Sequence, residues 1–265
     1  MWQTTKPNLM QKKAMASTKT LYVDSRARIR GAHSDFAVSL PEQMTLRDAR
    51  VRIDNIRTTD TFPTVSARNR YVYFLNGASL TAVALAEGAY TGTTFAAELA
   101  TKSGRSCTYL GSSNSLQVAY APTTRIIWED EELRSFPASA FPSGASPNDP
   151  RSINDILGSG ATVNAEESAM TFPFVTMAPL QDMYLTSHQL MVHESFMPRG
   201  QRYALAKLSL FGGFGTTVGG ATPDNVFYDL GEHLTLKEVD FQIRDYRGVV
   251  VPLTAPISFQ LIFEC

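Results

Sequence analysis

A chain of 265 residues has room for one large β-sandwich or two small domains, and a hydrophobic share of 43% excludes global disorder. The net charge of −1 argues against wholesale coating of nucleic acid. Only 18% of the residues are charged, against a typical share of about 25%; both a surface covered by neighbours and an ordinary Ser/Thr-rich β-protein show this. Cys107 and Cys265 have no paired spacing, so no disulfide framework is expected. No apolar leader and no run of 18 apolar residues occurs, which predicts a soluble chain without membrane insertion.

Residues 1–18 are polar and basic, with Pro7, and predict an extended arm ahead of a folded domain spanning 19–265. Residues 1–30 carry seven basic side chains against Asp24 alone, enough for weak contact with a polyanion such as nucleic acid. The candidate assembly residues of this arm are Lys6, Lys12, Lys13 and Lys19, as charges, and Trp2, Leu9 and Met10, as apolar anchors.

Strand candidates follow. Thr20–Asp24 is rich in β-formers, and Phe36–Leu40 alternates until Pro41, which is expected to stop it. Arg50–Thr58 places Val51, Ile53 and, after a slip, Ile56 on one face. Arg70–Leu75 runs into Asn76-Gly77, a hairpin signal because such turns need positive φ, and Ser79–Leu85 returns. Thr93–Ser103 is the one credible helix: Phe95 and Leu99 share a stripe, Thr91, Thr93 or Thr94 supplies a cap, and Gly104 ends it. Cys107–Leu110, Leu116–Tyr120 and Arg125–Trp128 read as short strands. The acidic run Glu129–Glu132 reads as a solvated turn and the proline-rich Phe136–Pro150 as loop, with one helical turn at Ser152–Leu157. The second half holds strand candidates at Phe172–Met177, Met183–Ser187, Tyr203–Phe211, Val226–Leu230, Val239–Ile243 and Ile257–Phe263. Gly212–Gly220 reads as a flexible connection between two of them.

Catalytic constellations are missing from this pattern. His33, His188, His193 and His233 are scattered, and the five-residue gap between His188 and His193 fits neither one face of a helix nor one face of a strand. Gly212–Gly220 lacks the third glycine of a dinucleotide fingerprint and opens no helix that would present N–H groups to a phosphate. No catalytic residue, cofactor or metal is expected, and the chain reads as a non-enzyme.

Four segments in order carry a resemblance: LYVDSRARIRGAHSDFAVSLPEQM (21–44), LAEGAYTGTTFAAEL (85–99), SINDILG (152–158) and VDFQIRDYRGVVVPLTAPISFQLIFE (239–264). Together they resemble the penton and minor capsid proteins of polinton-like viruses, virophages and related large DNA viruses. The resemblance implies an all-β fold, a single jelly-roll β-sandwich with one short helix and long end loops, and a structural role in the virion. Pentons and other minor capsid proteins share the pattern, so the resemblance does not assign the shell position; the expected partners are further copies of itself, as a pentamer closing five-fold vertices, and a double jelly-roll major capsid protein, with weak genome contact by the arm. Sixteen strands do not fit 265 residues at ordinary strand lengths, which excludes the major capsid role for this chain. A cement protein between capsomers, or a glycan-binding receptor head, are the alternatives. Residues 129–171 and 211–225 are expected to be loops at the ends of the sandwich.

Overall fold

The computed structural model describes residues 17–265 apart from 120, 122, 159, 165–167, 191, 193–194, 211, 221–225 and 232. In chain order the first strands are β1 (Thr18–Asp24), β2 (Arg30–Ala32), β3 (Asp35–Arg47) and β4 (Arg50–Thr59). Then come β5 (Tyr71–Asn76), β6 (Ser79–Ala84), helix α1 (Gly92–Ser103), β7 (Cys107–Leu110), β8 (Ser115–Ala119) and β9 (Thr124–Ile127). One-turn helices α2 (Asp130–Leu133) and α3 (Asn154–Leu157) precede β10 (Thr162–Asn164) and β11 (Ala169–Phe172). The chain ends with β12 (Asp182–Thr186), β13 (Ala204–Ser209), β14 (Thr217–Gly220), β15 (Tyr228–Asp229), β16 (His233–Arg244) and β17 (Ser258–Glu264). These elements form two compact units. One takes the described residues up to Thr58, Asp182–Ser209 and Val218–Cys265; the other takes Thr59–Gln181 and Leu210–Thr217.

The first unit has one sheet ordered β1-β17-β4-β14, with β15 also on β4, and one ordered β13-β12-β16-β3-β2. Numbering its eight principal strands along the chain (β1, β3, β4, β12, β13, β14, β16, β17), the sheets read first-eighth-third-sixth and second-seventh-fourth-fifth. That winding, two Greek keys wrapped together, defines one architecture. The first unit is a single jelly roll. The expectation that sixteen strands could not fit fails, since the described residues form seventeen, many of only two to four residues; strand order, not strand count, gives one roll.

Period-two alternation builds its core. Val51, Ile53 and Ile56 of β4, Leu261 and Phe263 of β17, and Val239 and Phe241 of β16 are all fully buried. Each such side chain stabilises the fold by roughly 1.5–3 kcal/mol relative to exposure. The slip between Ile53 and Ile56 is a bulge: Asn55 sits at φ 49 and the register against β17 shifts between Ser258 and Gln260. Pro41 does not stop its strand. β3 runs on to Arg47, and the ladder to β16 breaks register between Leu236 and Glu238, opposite the segment holding Pro41, where no amide hydrogen is required of it.

The second unit is also β-rich, with a sheet ordered β10-β11-β8-β7 and another ordered β6-β5-β9. Its main core packs Phe95 and Leu99 of α1 with Val72, Phe74, Leu116, Ile126, Ile156 and Phe172. Tyr73, on the other face of β5, joins Ile127 and Leu133 in a smaller cluster. Helix α1 lies where the sequence predicts it. Thr91 caps it in a reciprocal box with Thr94, and Gly104 closes it at φ 67 with its N–H on the Ala100 carbonyl.

Four more local expectations change. The acidic run is not a plain solvated turn: Asp130 opens α2 and accepts from the Ser152 hydroxyl and the Asn154 amide, while Glu132 pairs with Arg125. Residues 129–171 are not all loop, because α2, α3, β10 and part of β11 form within them. The glycine-rich connection is half strand, since Thr217–Gly220 is β14 at the side of β4. The hairpin turn also moves by one residue. Asn76 pairs with Ser79, so the two-residue loop is Gly77-Ala78, with Gly77 at φ 57, the glycine-first form of the tight hairpin.

Candidate functional site

The sequence segments that carry the resemblance occupy structural joints. Asp24 caps the short 3-10 turn after β1 by accepting from the Arg26 amide, and its carboxylate pairs with the Arg26 guanidinium. That contact holds the Asp24 carboxyl below the usual carboxylate range. Ser25, fully buried, accepts from the Ile257 amide at 2.9 Å and meets His33 Nδ1 at 2.7 Å, tying the end of β1 to the start of β17. At the last turn, fully buried Asp245 accepts from the amides of Arg247 and Val249, and Gly248 follows at φ 83. Within the second unit, Tyr90 sets its ring edge-on to Phe95 and donates its hydroxyl to the Ala86 carbonyl beside the α1 cap.

The candidate site for assembly is the end of the jelly roll that carries both ends of the described chain. Ser17 and Cys265 exchange backbone hydrogen bonds at 3.1 and 2.9 Å, Thr18 pairs with Glu264, and Glu264 forms an ion pair with Arg50 at 2.9 Å. β1 is the edge strand of its sheet. Along it Tyr22 points away from the core, 74% exposed, over a shallow groove of about 360 Å³ that Asn55, Arg57 and Gln260 also line. An edge strand of seven residues whose outer side lacks a partner strand among the described residues is a template for further backbone pairing.

Of the predicted site residues, Lys19 lies in β1, exposed and opposite Phe263. Trp2, Lys6, Leu9, Met10, Lys12 and Lys13 lie outside the described residues. The sequence reasoning missed Tyr22, although alternation in Thr20–Asp24 sets it on the side opposite Leu21 and Val23.

Among the described residues no group of three or more His, Cys, Asp or Glu side chains is placed to hold a metal, and no helix is long and apolar enough to cross a membrane. Burial, and then the positive charge of Arg28, hold the His33 imidazole below its ordinary range. His188 stacks edge-on to Tyr203, His233 is exposed beside Thr235, and His193 lies outside the described residues. Both cysteines are free; burial pushes the Cys107 thiol up to about 11, far from a nucleophile's range. Asp60 lines a cleft of about 480 Å³ in the second unit, between exposed Phe174 and Phe214, but one of its carboxylate oxygens is committed to the Phe62 amide.

No family model and no curated protein matches the sequence. Among solved structures, one is the selenomethionine-labelled mavirus penton protein, at 11% sequence identity and a TM-score of 0.46 over 94% of this chain and 98% of that one. The chain is similar to a viral penton protein.

Proposed function

We propose that this protein is a non-enzymatic building block of a virus capsid, the penton that closes five-fold vertices. The observation that carries the reading is a coincidence of strand order and motif position. In the first resembling segment Ser25 ties the end of β1 to the start of β17, and in the last Asp245–Gly248 is the hydrogen-bonded turn that follows β16, so both sit at joints of the eight-stranded jelly roll. Fold alone does not specify function; the joints link the fold to the motifs by which the sequence resembles capsid proteins. In this reading five copies meet through heterologous side-to-side contacts, which close into a ring. The role of the basic arm ahead of the jelly roll is then to bind neighbouring subunits, the double jelly-roll major capsid protein foremost. The virion is the site of the protein, and assembly takes place in the host cell.

The test is a particle reconstruction after co-expression with a double jelly-roll major capsid protein. Density for five copies at each five-fold vertex is the expected result. Single copies between major capsomers, with other density at the vertices, would transfer the role to a cement protein.

A further inference from the structure

Two loops of the jelly roll meet in a cluster of arginines laid on aromatic rings. The loop between β12 and β13 contributes Phe196, Arg199 and Arg202; the turn between β16 and β17 contributes Tyr246 and Arg247. The Arg202 guanidinium lies 5.6 Å from the centre of the Phe196 ring, and those of Arg199 and Arg247 lie 5.9 and 5.4 Å from that of Tyr246. The Gln201 amide donates to the Arg247 carbonyl at 3.0 Å, clasping the loops, and a Cβ on Gly248 would fall 2.4 Å from that amide nitrogen. Tyr203 closes the loop at φ 73, a costly conformation for a bulky side chain.

Asp245 accepts from Arg247, while Arg199 and Arg202 have no carboxylate partner among the described residues and keep their charge uncompensated there. Phe196 is 58% exposed and Tyr246 is 38% exposed, so ring surface stays open beside the charges. A guanidinium stacked on a ring keeps its N–H fork in the plane of the stack, free for bidentate contact with an oxyanion. Oxyanions joined by flat apolar faces are what such a surface complements.

The cluster also has a definite place. The turn follows Arg244, at the end of β16, and the chain returns at Ser258, which pairs with Asp24 and Arg57. Ser17, Glu264 and Cys265 lie at the other end of that sheet. If the arm reaches inward, the arginine cluster faces out, toward the cell surface and not the genome.

We infer that this cluster binds an acidic polysaccharide, its sulfate or carboxylate groups on the Arg199 and Arg202 forks and a sugar face on Phe196. Orientation rests on the capsid reading; the binding chemistry does not. The full-length chain is titrated with a heparin-derived oligosaccharide, its desulfated, N-acetylated counterpart and a single-stranded oligonucleotide of equal charge. The same titrations are run on an Arg199→Ala/Arg202→Ala variant of unchanged thermal midpoint. Both proteins carry Lys6→Gln, Lys12→Gln and Lys13→Gln, which silences the arm. The expected result is preference for the sulfated sugar and roughly ten-fold or more weaker binding by the double variant. Equal binding by the variant, no binding at all, or stronger binding of the oligonucleotide would overturn the inference, the last by making the patch a nucleic-acid surface. Sulfated-sugar binding by a chain found nowhere in a capsid would leave the site standing and remove only its outward orientation.

Discussion

Ser25 and His33 form a joint whose strength depends on protonation. The Ser25 oxygen accepts from the Ile257 amide, so its hydroxyl hydrogen is free to go to His33 Nδ1, which accepts only while the imidazole is neutral. Burial and Arg28 lower the histidine's affinity for a proton in the folded state. A depressed folded value gives stability that is present above the unfolded pKa and is lost as pH falls through the folded one. The urea midpoint is therefore expected to fall between pH 7 and pH 5. His33→Asn, which keeps an acceptor without the titration, should flatten that slope; an unchanged slope would place the pH dependence elsewhere. The cysteines give a second residue-scale expectation. Cys107 is held near 11 by burial while Cys265 is exposed, so a colourimetric thiol reagent at pH 8 should react with one thiol per chain quickly and with the second only on unfolding. Two fast thiols would contradict the half-buried placement of Cys107.

Helix α1 shows at the level of elements what local sequence specifies and what it leaves open. Phe95 and Leu99 four apart, a threonine box before them and Gly104 after them mark the bounds of a twelve-residue helix locally, while a helix so short owes its stability to packing. Thr91→Ala should cost about 1 kcal/mol, because the Thr94 amide at the helix start loses its acceptor while the amide of residue 91 keeps the Thr94 hydroxyl, whereas Thr91→Ser should be nearly neutral. Urea denaturation of the two variants checks this; equal midpoints would mean that solvent caps the helix just as well. Other elements depend on partners far along the chain. Pro41 signals a strand end locally, yet β3 passes it because a break in register opposite spares the missing amide. β14 has two glycines in four residues and no side-chain alternation to announce it, so only its place beside β4 makes it a strand. Alternation reveals which face of a strand is buried, never which strand lies next to it. The division into two units was therefore illegible: β4 and β12 belong to one jelly roll, although the whole of Thr59–Gln181 intervenes in sequence. The arginine cluster was illegible for the same reason, its two loops being more than forty residues apart in the chain.

For the whole molecule, the question is where the fold stops and assembly begins, and the pairing at the chain ends locates that boundary. Ser17 and Cys265 bond each other through their backbones, and from Thr18 onward every residue of β1 faces one of β17. Residues 1–16 lie ahead of the first such pairing, so a deletion ending at Ala16 removes no hydrogen bond of the described sheet. A deletion ending at Asp24 would remove an edge strand, expose one side of Phe259, Leu261 and Phe263, and take away the cap that orders Ser25. The two truncations should therefore separate folding from assembly. Loss of 1–16 is expected to leave the thermal midpoint within about 2 °C, since no packed or hydrogen-bonded group of the sheet changes and a change of 1 kcal/mol moves a chain of this size by only a few degrees. Loss of 1–24 should lower the midpoint well beyond that, or prevent folding. In co-assembly with a double jelly-roll major capsid protein, the 1–16 deletion is expected to give folded protein that enters particles poorly. Retaining Trp2, Leu9 and Met10 while changing Lys6, Lys12 and Lys13 to Gln should restore entry if the anchors are apolar, because the buried core of an interface carries most of its energy. Rescue by the opposite set, with the lysines kept and Trp2, Leu9 and Met10 changed to Ser, would instead assign the arm to an anionic partner, and its contribution should then decline steeply between 50 and 200 mM salt. Full entry of the 1–16 deletion into particles of unchanged stability would show that the arm has no part in assembly.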